Sequence, residues 1–340
     1  MRTLITGGAG FIGSHVANYL VENTKHKVYV VDDLSGGFLH NLPNGVVFQK
    51  LDLRDRNQTE KFINKVKPHI IYHLAADATE GRSQFTPISA TERNQLAYMY
   101  LLIPAIKNGL KKMILTSSMS VYGSQKAPFS EDMKRLPDDI YGISKAAMEQ
   151  TTEVLSKVYG FDYVIIRPHN VYGPKQNLTD PYRNVIGIFI NCLLNNKNYY
   201  IYGNGKQKRA FTYIDDCAPY IARSAFEKKC INQIINLGPS QAYTINEVSK
   251  LVLKNFFEKE IPAKLKPKYL DLRPQEVVEA FCTIDKAKKL LGYETSYSLS
   301  QGVEEMVKWA KELGPQKFKY LDNLELESNK LPITWKRKLI

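Results

Sequence analysis

Cysteine is scarce in this chain: 340 residues hold four, Cys192, Cys217, Cys230 and Cys282, none in a Cys-x-x-Cys spacing. That excludes the ligand pattern of a structural zinc site and a disulfide framework, and reads as reduced thiols in a cytoplasmic protein. The six histidines form no metal-ligand pattern either, so no metal is expected. Long apolar runs are missing. Stretches such as Val164-Ile165-Ile166 are strand-sized, far below the roughly 20 residues of a membrane span, so no membrane association is expected. Met1-Arg2-Thr3-Leu4-Ile5 leads at once into a glycine loop, and no signal peptide is expected. Internal repeats and low-complexity segments are absent. Acidic residues are outnumbered, 34 against 47 basic, for a net charge of +13. The lysines are scattered, with small clusters at Lys206-Gln207-Lys208-Arg209, 286–289 and Lys336-Arg337-Lys338. That distribution suits a solvated surface and a small anionic substrate rather than a nucleic-acid groove. A hydrophobic content of 44% with 24% charged residues describes a globular chain of one or two domains.

What is present begins with punctuation by glycine. An apolar strand over 2–6 is followed by Gly7-Gly8-Ala9-Gly10-Phe11-Ile12-Gly13, a helix over 14–23, a second apolar run over 27–31, and then Asp32-Asp33. Glycines permit a tight turn and let the backbone approach a pyrophosphate, which then rests on the helix N-terminus. Asp32 suits both ribose hydroxyls of NAD and would repel the 2′-phosphate of NADP. The alternation continues with strands at 46–51, 69–74, 112–116 and 163–167 and helices at 57–66 and 91–108, the latter expected to kink at Pro104. Strands alternating with helices imply an α/β fold with a doubly wound parallel sheet, whose ligands bind beyond the carboxyl ends of the strands. Segments 75–86, 117–123 and 168–173 leave those ends and should converge on one crevice. Beyond Pro174 the pattern loosens into helices at 182–194, 245–257 and 299–313 with short strands between them. We read residues 1–174 as a Rossmann-type NAD-binding domain and 175–314 as a smaller, partly discontinuous α/β substrate lobe with segments returning to the sheet. The tail, 315–340, mixes aromatics with both charge signs and is expected to be a docked extension or an oligomer contact.

Tyr141-Gly142-Ile143-Ser144-Lys145 opens a helical run reaching about residue 158. Spacing i, i+4 puts phenol and ammonium on one helix face. A phenol titrates near ~10, and bringing it to about 7 takes roughly 4 kcal/mol of differential stabilisation. A nearby cation favours the phenolate, which makes the pair a candidate general acid/base.

Taken together, these motifs resemble the extended short-chain dehydrogenase/reductases of the nucleotide-sugar epimerase/dehydratase family over about residues 1–311. Gly7-x-x-Gly10-x-x-Gly13 has the extended-family spacing. Thr116-Ser117-Ser118-Met119-Ser120-Val121-Tyr122-Gly123 resembles the segment carrying the catalytic hydroxyl, and Tyr141 with Lys145 matches the family's Tyr-x-x-x-Lys. Arg167-Pro168-His169-Asn170-Val171-Tyr172-Gly173-Pro174 resembles the segment bordering nicotinamide and sugar diphosphate. Gly203-x-Gly205 through Arg209, and Arg273-Pro274-Gln275-Glu276, resemble the diphosphate-binding lobe. The resemblance implies catalytic Ser118, Tyr141 and Lys145. It implies cofactor contacts from Gly7, Gly10, Phe11, Ile12, Asp32, Asp33, Asp52, Leu53, Leu74, Ala75, Ala76 and Asn94 as well as Tyr141 and Lys145. Asn170, Arg209 and Arg273 would hold the nucleotide-diphosphate sugar, arginine's planar fork suiting a diphosphate. Arg82, Arg183 and Ser120 are further substrate candidates; for the two arginines a surface role is the alternative. A homodimer through the helices at 91–108 and 141–158 is also implied.

Dehydratases of the family place Asp-Glu directly after the catalytic hydroxyl. Here those positions are Met119 and Ser120, which favours an epimerase acting at C4 through a 4-keto intermediate and tightly bound NAD. A keto-sugar reductase would normally use NADPH, which Asp32 disfavours. A non-catalytic RNA-binding member is disfavoured by the intact Ser118, Tyr141 and Lys145 set. The loop Thr79-Glu80-Gly81-Arg82-Ser83-Gln84-Phe85 departs from the family pattern, Ala210 replaces a common acid, and Glu276 stands where Asp is usual. These departures leave the sugar open, an acidic or amino sugar fitting as well as glucose.

Overall fold

The first apolar run forms β1 (Arg2–Thr6), an inner strand of a seven-stranded parallel sheet. The computed structural model describes residues 1–257, 259–262, 264–272, 277–321 and 323–340. The other strands are β2 (Lys27–Asp32), β3 (Val47–Lys50), β4 (Ile70–His73), β5 (Lys112–Thr116), β6 (Asp162–Pro168) and a late strand, Gln233–Leu237. In space they run Gln233–Leu237, β6, β5, β4, β1, β2, β3, every pair parallel. The chain changes direction across the sheet between β1 and β4, and a crevice opens there beyond the carboxyl ends.

Period-two alternation divides the strand residues between two cores. Ile5, Val30, Tyr72, Ile114 and Ile166 face one, while Leu4, Val31, Ile71, Met113 and Ile165 face the other. Both faces are buried, which is why these strands read as nearly continuous apolar runs. The helices are α1 (Phe11–Asn23), α2 (Arg56–Val66), α3 (Glu80–Ser83), α4 (Pro87–Thr91), α5 (Ala97–Lys107) and α6 (Ile140–Tyr159). Val16 and Leu20 of α1, with Ile221 of the later helix Ala218–Ser224, cover the first face; Ile63 of α2, Leu101 of α5 and Met148 of α6 cover the second.

Two helices differ from expectation. The segment anticipated at 91–108 starts at Pro87 and passes through a wide turn, Glu92–Leu96, before becoming α5. The irregularity lies in that turn rather than at Pro104, which sits in the last turn of α5. Asn94 explains it: its side-chain amide donates to the Ala90 carbonyl at 2.8 Å, taking the place of the backbone donor. The helix anticipated at 182–194 begins only at Val185, after Asn184 adopts φ +60°.

After β6 the chain builds small pairings, Tyr200–Tyr202 with Lys268–Leu270, and Lys208–Arg209 between Tyr243–Thr244 and Glu279–Ala280. Helices Ile245–Phe256 and Leu299–Leu313 each open with a capping box, Thr244 with Glu247 and Ser298 with Gln301. Their buried residues belong to the same core as the first sheet face. The tail is docked. Lys319 N–H donates to the Thr179 carbonyl, the Glu325 carboxylate accepts from Ile88 and Ser89 N–H, and the Trp335 ring meets Phe85 and Tyr182 edge-on. Among the described residues no helix is long and apolar enough to cross a membrane, and all four cysteines are free and buried.

Candidate functional site

A cleft of about 860 Å³ runs along the carboxyl ends of the strands, from the glycine loop to the tail. At one end Gly7 takes φ +66°, and a Cβ there would come within 2.7 Å of the Ala75 backbone. Only glycine lets the loop lie this close to the end of β4. A Cβ on Gly13 would press on the Gly7 carbonyl, so that glycine lets α1 pack directly under the loop. Helix α1 starts at Gly10 with no side-chain cap and no acid in its first turn, leaving N–H groups and the positive end of its dipole facing the cleft. Asp32, closing β2, accepts from Ala9 N–H at 3.0 Å on one oxygen and Leu34 N–H at 2.8 Å on the other. Burial raises its carboxyl above the usual range, partly countered by those bonds. Each oxygen keeps a lone pair for a ribose hydroxyl.

Phe11, Ile12, Asp33, Asp52, Leu53, Leu74, Ala75 and Ala76 also line this end. Arg93 donates to Asp33 at 3.3 Å, and Arg54 forks onto both oxygens of Asp52 at 3.0–3.1 and 2.6 Å. Asn94 does not reach the cleft. It is buried, accepts from Asp77 N–H at 3.1 Å and donates to the Asp77 carbonyl, so it fixes the loop behind the site. Ser35, Gly36 and Gly37 line the same wall and were not anticipated, although two glycines after a strand-closing acid are a readable signal.

Midway along the cleft, α6 delivers Tyr141 and Lys145. Asp139 caps the helix by accepting from Gly142 N–H at 2.8 Å, while Tyr141 N–H donates to Ser83 Oγ, which ties α6 to α3. The Ser118 hydroxyl stands beside the Tyr141 phenol and favours its ionised form. Lys145 Nζ lies 5.7 Å from the Tyr141 ring centre and donates to the Thr116 carbonyl at 2.8 Å. Burial pulls the Lys145 ammonium down to about 8, opposed by the Glu149 carboxylate one turn on. The lowering of Tyr141 expected from Lys145 does not occur in the protein alone. Burial pushes the phenol well above its usual range, and the Glu80 carboxylate adds to the rise. Thr116 Oγ1 is buried, has no partner among the described residues, and borders the cleft. An uncapped helix end, a cradle that a Cβ would fill and this orphaned hydroxyl all fit a bound dinucleotide.

At the far end, Asn170 (φ +33°) donates to the Ala210 carbonyl at 2.8 Å, and Arg209 lines the cleft from Lys208–Arg209. Arg82 donates to both oxygens of Asp77 at 2.5 and 2.6 Å and lies over the Tyr182 ring. Arg183 donates to the Ala78 carbonyl at 3.0 Å and to Asp180 at 3.3 Å. Ser120 Oγ accepts from Ser118 Oγ at 3.1 Å and donates to Glu80 Oε1 at 3.3 Å. Arg273 lies outside the described residues. Glu80, from the polar loop expected to face the sugar, completes this end together with the tail residues Lys330, Thr334 and Trp335, which were not anticipated.

A glycine loop facing a phenol and an ammonium across the ends of parallel strands is the arrangement of a dinucleotide-dependent enzyme of the short-chain dehydrogenase/reductase type. Comparison narrows this further: the profile of the NAD dependent epimerase/dehydratase family matches residues 3–238, and the chain belongs to that family. Among solved structures, UDP-glucose 4-epimerase from Thermotoga maritima, with UDP-glucose, is 32% identical and has a TM-score of 0.85, over 92% of this chain and 99% of that one. UDP-glucuronic acid 4-epimerase from Bacillus cereus, in complex with UDP-glucuronic acid and NAD, is 30% identical with a TM-score of 0.82, over 92% and 100%. UDP-N-acetyl-alpha-D-glucosaminuronate decarboxylase from Bacillus cytotoxicus is 31% identical over 331 residues, covering 92% of this chain and 98% of its own.

Proposed function

We propose that the protein inverts C4 of a nucleoside-diphosphate hexose with tightly held NAD. The observation carrying this reading is that Tyr141, Ser118 and Lys145 meet on the floor of one cleft, with a dinucleotide cradle on one side and Asn170 and Arg209 on the other. UDP-sugars named for the similar structures support a uridine nucleotide.

Gly7, Gly10, Phe11 and Ile12 would hold the pyrophosphate, Asp32 and Asp33 the adenosine ribose, and Asp52 and Leu53 the adenine. Leu74, Ala75 and Ala76 would leave room at the strand end. Arg54 and Arg93 are already paired with Asp52 and Asp33, so neither is left over for a 2′-phosphate, which supports NAD over NADP. When bound, NAD would supply the acceptor of the C4 hydride in its oxidised form and the donor once reduced, and the pyridinium charge of the oxidised form would favour the Tyr141 phenolate. Tyr141 takes the proton of the C4 hydroxyl and returns it once the 4-keto sugar has turned. Ser118 hydrogen-bonds the reacting oxygen, and Lys145, fixed by the Thr116 carbonyl, orients the nicotinamide ribose. Asn170, Arg209 and Arg273 would anchor the diphosphate, with Ser120, Arg82 and Arg183 around the sugar. Elimination of water is disfavoured because Met119 and Ser120 follow Ser118.

The division into residues 1–174 for NAD, 175–314 for the nucleotide sugar and 315–340 as an extension is part of this proposal, with Ala218–Ser224 and Gln233–Leu237 assigned to the first part. Four free, buried cysteines support a cytoplasmic location. The test is to incubate the protein, without added cofactor, with UDP-, GDP- and CDP-sugars and to read products by proton NMR in deuterated water. A C4 isomer without solvent deuterium is expected. Deuterium beside a carbonyl would replace this reading with enolisation, and no isomer from any sugar would end it.

A further inference from the structure

The cleft end beyond Tyr141 has an unusual charge balance. Glu80 stands in it as a carboxylate bonded only lightly, accepting from Ser120 Oγ at 3.3 Å. Its wall includes Asp139 and Tyr141, and its side chain is exposed to the cleft. Three cations at this end are already engaged, while Lys330 has no ion pair among the described residues. Arg82 gives one Nη to both oxygens of Asp77 and lies over the face of Tyr182, its buried Nε having no partner among the described residues. Arg183 is held by Asp180 and the Ala78 carbonyl, with Asp77 and Glu80 beside it. Lys145 is directed to the Thr116 carbonyl.

We propose that this end selects a hexose presenting hydroxyl or amide N–H donors and rejects a hexuronate, and that Glu80 is the residue that discriminates. The inference rests on the C4-epimerase reading and deepens it, since the similar proteins divide between neutral and acidic sugars. A second carboxylate brought beside Glu80, as the bound sugar displaces water there, meets like-charge repulsion and an unpaired acceptor, worth about 100-fold in discrimination.

The experiment compares UDP-glucose with UDP-glucuronate on NAD-loaded protein, by kcat/KM and by calorimetric binding, for the parent and Glu80→Gln. The parent should favour UDP-glucose by about 100-fold. Glu80→Gln, of the same shape, should narrow that ratio about tenfold or more, chiefly through a lower KM for the uronate. A parent that accepts both equally, or a ratio unmoved by Glu80→Gln while UDP-glucose is still epimerised, overturns the selectivity and leaves the epimerase reading standing. If neither sugar is turned over, binding alone decides: UDP-glucuronate must bind more weakly and Glu80→Gln must close the gap. Equal binding, or none, overturns both. A purely structural Glu80 would change stability without moving the ratio.

Discussion

Tyr141 is asked to work as a base from surroundings that, in the protein alone, push its phenol upward. Replacing it with phenylalanine keeps the buried ring and removes only the hydroxyl. Tyr141→Phe should cut the isomerisation rate by about 10³-fold, within the range general acid/base groups supply, while circular dichroism and NAD retention stay as in the parent. A variant still within tenfold of the parent would assign the proton to another group. Lys145 gives a second prediction through stability. Its ammonium titrates near 8 in the fold and at 10.5 in the unfolded chain. Below pH 8 the native state therefore carries a charge it disfavours, by about 3 kcal/mol, and this penalty fades as pH rises from 8 toward 10.5. Lys145→Met should raise urea stability of NAD-free protein by about 2 kcal/mol at pH 7, allowing ~1 kcal/mol for the lost bond to Thr116, and by much less at pH 10. Destabilisation at both pH values would contradict it. Both residues were legible from a four-residue spacing. Glu80 was legible only as part of a polar loop facing the sugar, because nothing local to it announces that it will meet Ser120, forty residues on.

Among the elements, the strands from β1 to β6 were readable because burial on both faces leaves apolar runs, and the helices because their apolar faces recur every three to four residues. Gln233–Leu237 is equally apolar but sits among lobe segments, and its pairing with β6 follows from topology rather than from its own pattern. The tail was unreadable for a related reason: its contacts are single hydrogen bonds and ring edges spread over Phe85, Thr179, Tyr182 and Tyr202. Those contacts close the sugar end of the cleft, far from the glycine loop. Ending the chain at residue 322 should therefore raise KM for the nucleotide sugar by about tenfold and leave NAD affinity within twofold, and Trp335→Ala should move it the same way by less. Initial-rate kinetics with a separate NAD titration checks this. Loss of both affinities together would mean that the tail supports the whole fold rather than the sugar end.

At the scale of the whole molecule, α6, the helix of Tyr141 and Lys145, has a second side. Helices α5 and α6 pack together, with Tyr98 OH and Thr152 Oγ1 2.6 Å apart. Away from that contact they leave Ile103 43%, Val154 58%, Val158 66% and Tyr159 61% exposed. Val154 and Val158 are one turn apart, so they share a face. Apolar side chains gathered on two neighbouring helices are what a two-fold contact between copies would cover, the same pair of helices meeting itself as a four-helix bundle. Light scattering after size exclusion should then give about twice the 38.8 kDa of one chain. Val154→Lys combined with Val158→Lys would place four lysines on a closed interface and should return the mass to a single chain. The cleft is built within one chain, so turnover per chain should stay within about twofold in that variant. A parent that already runs at the mass of one chain would show that this face is covered by nothing of its own kind.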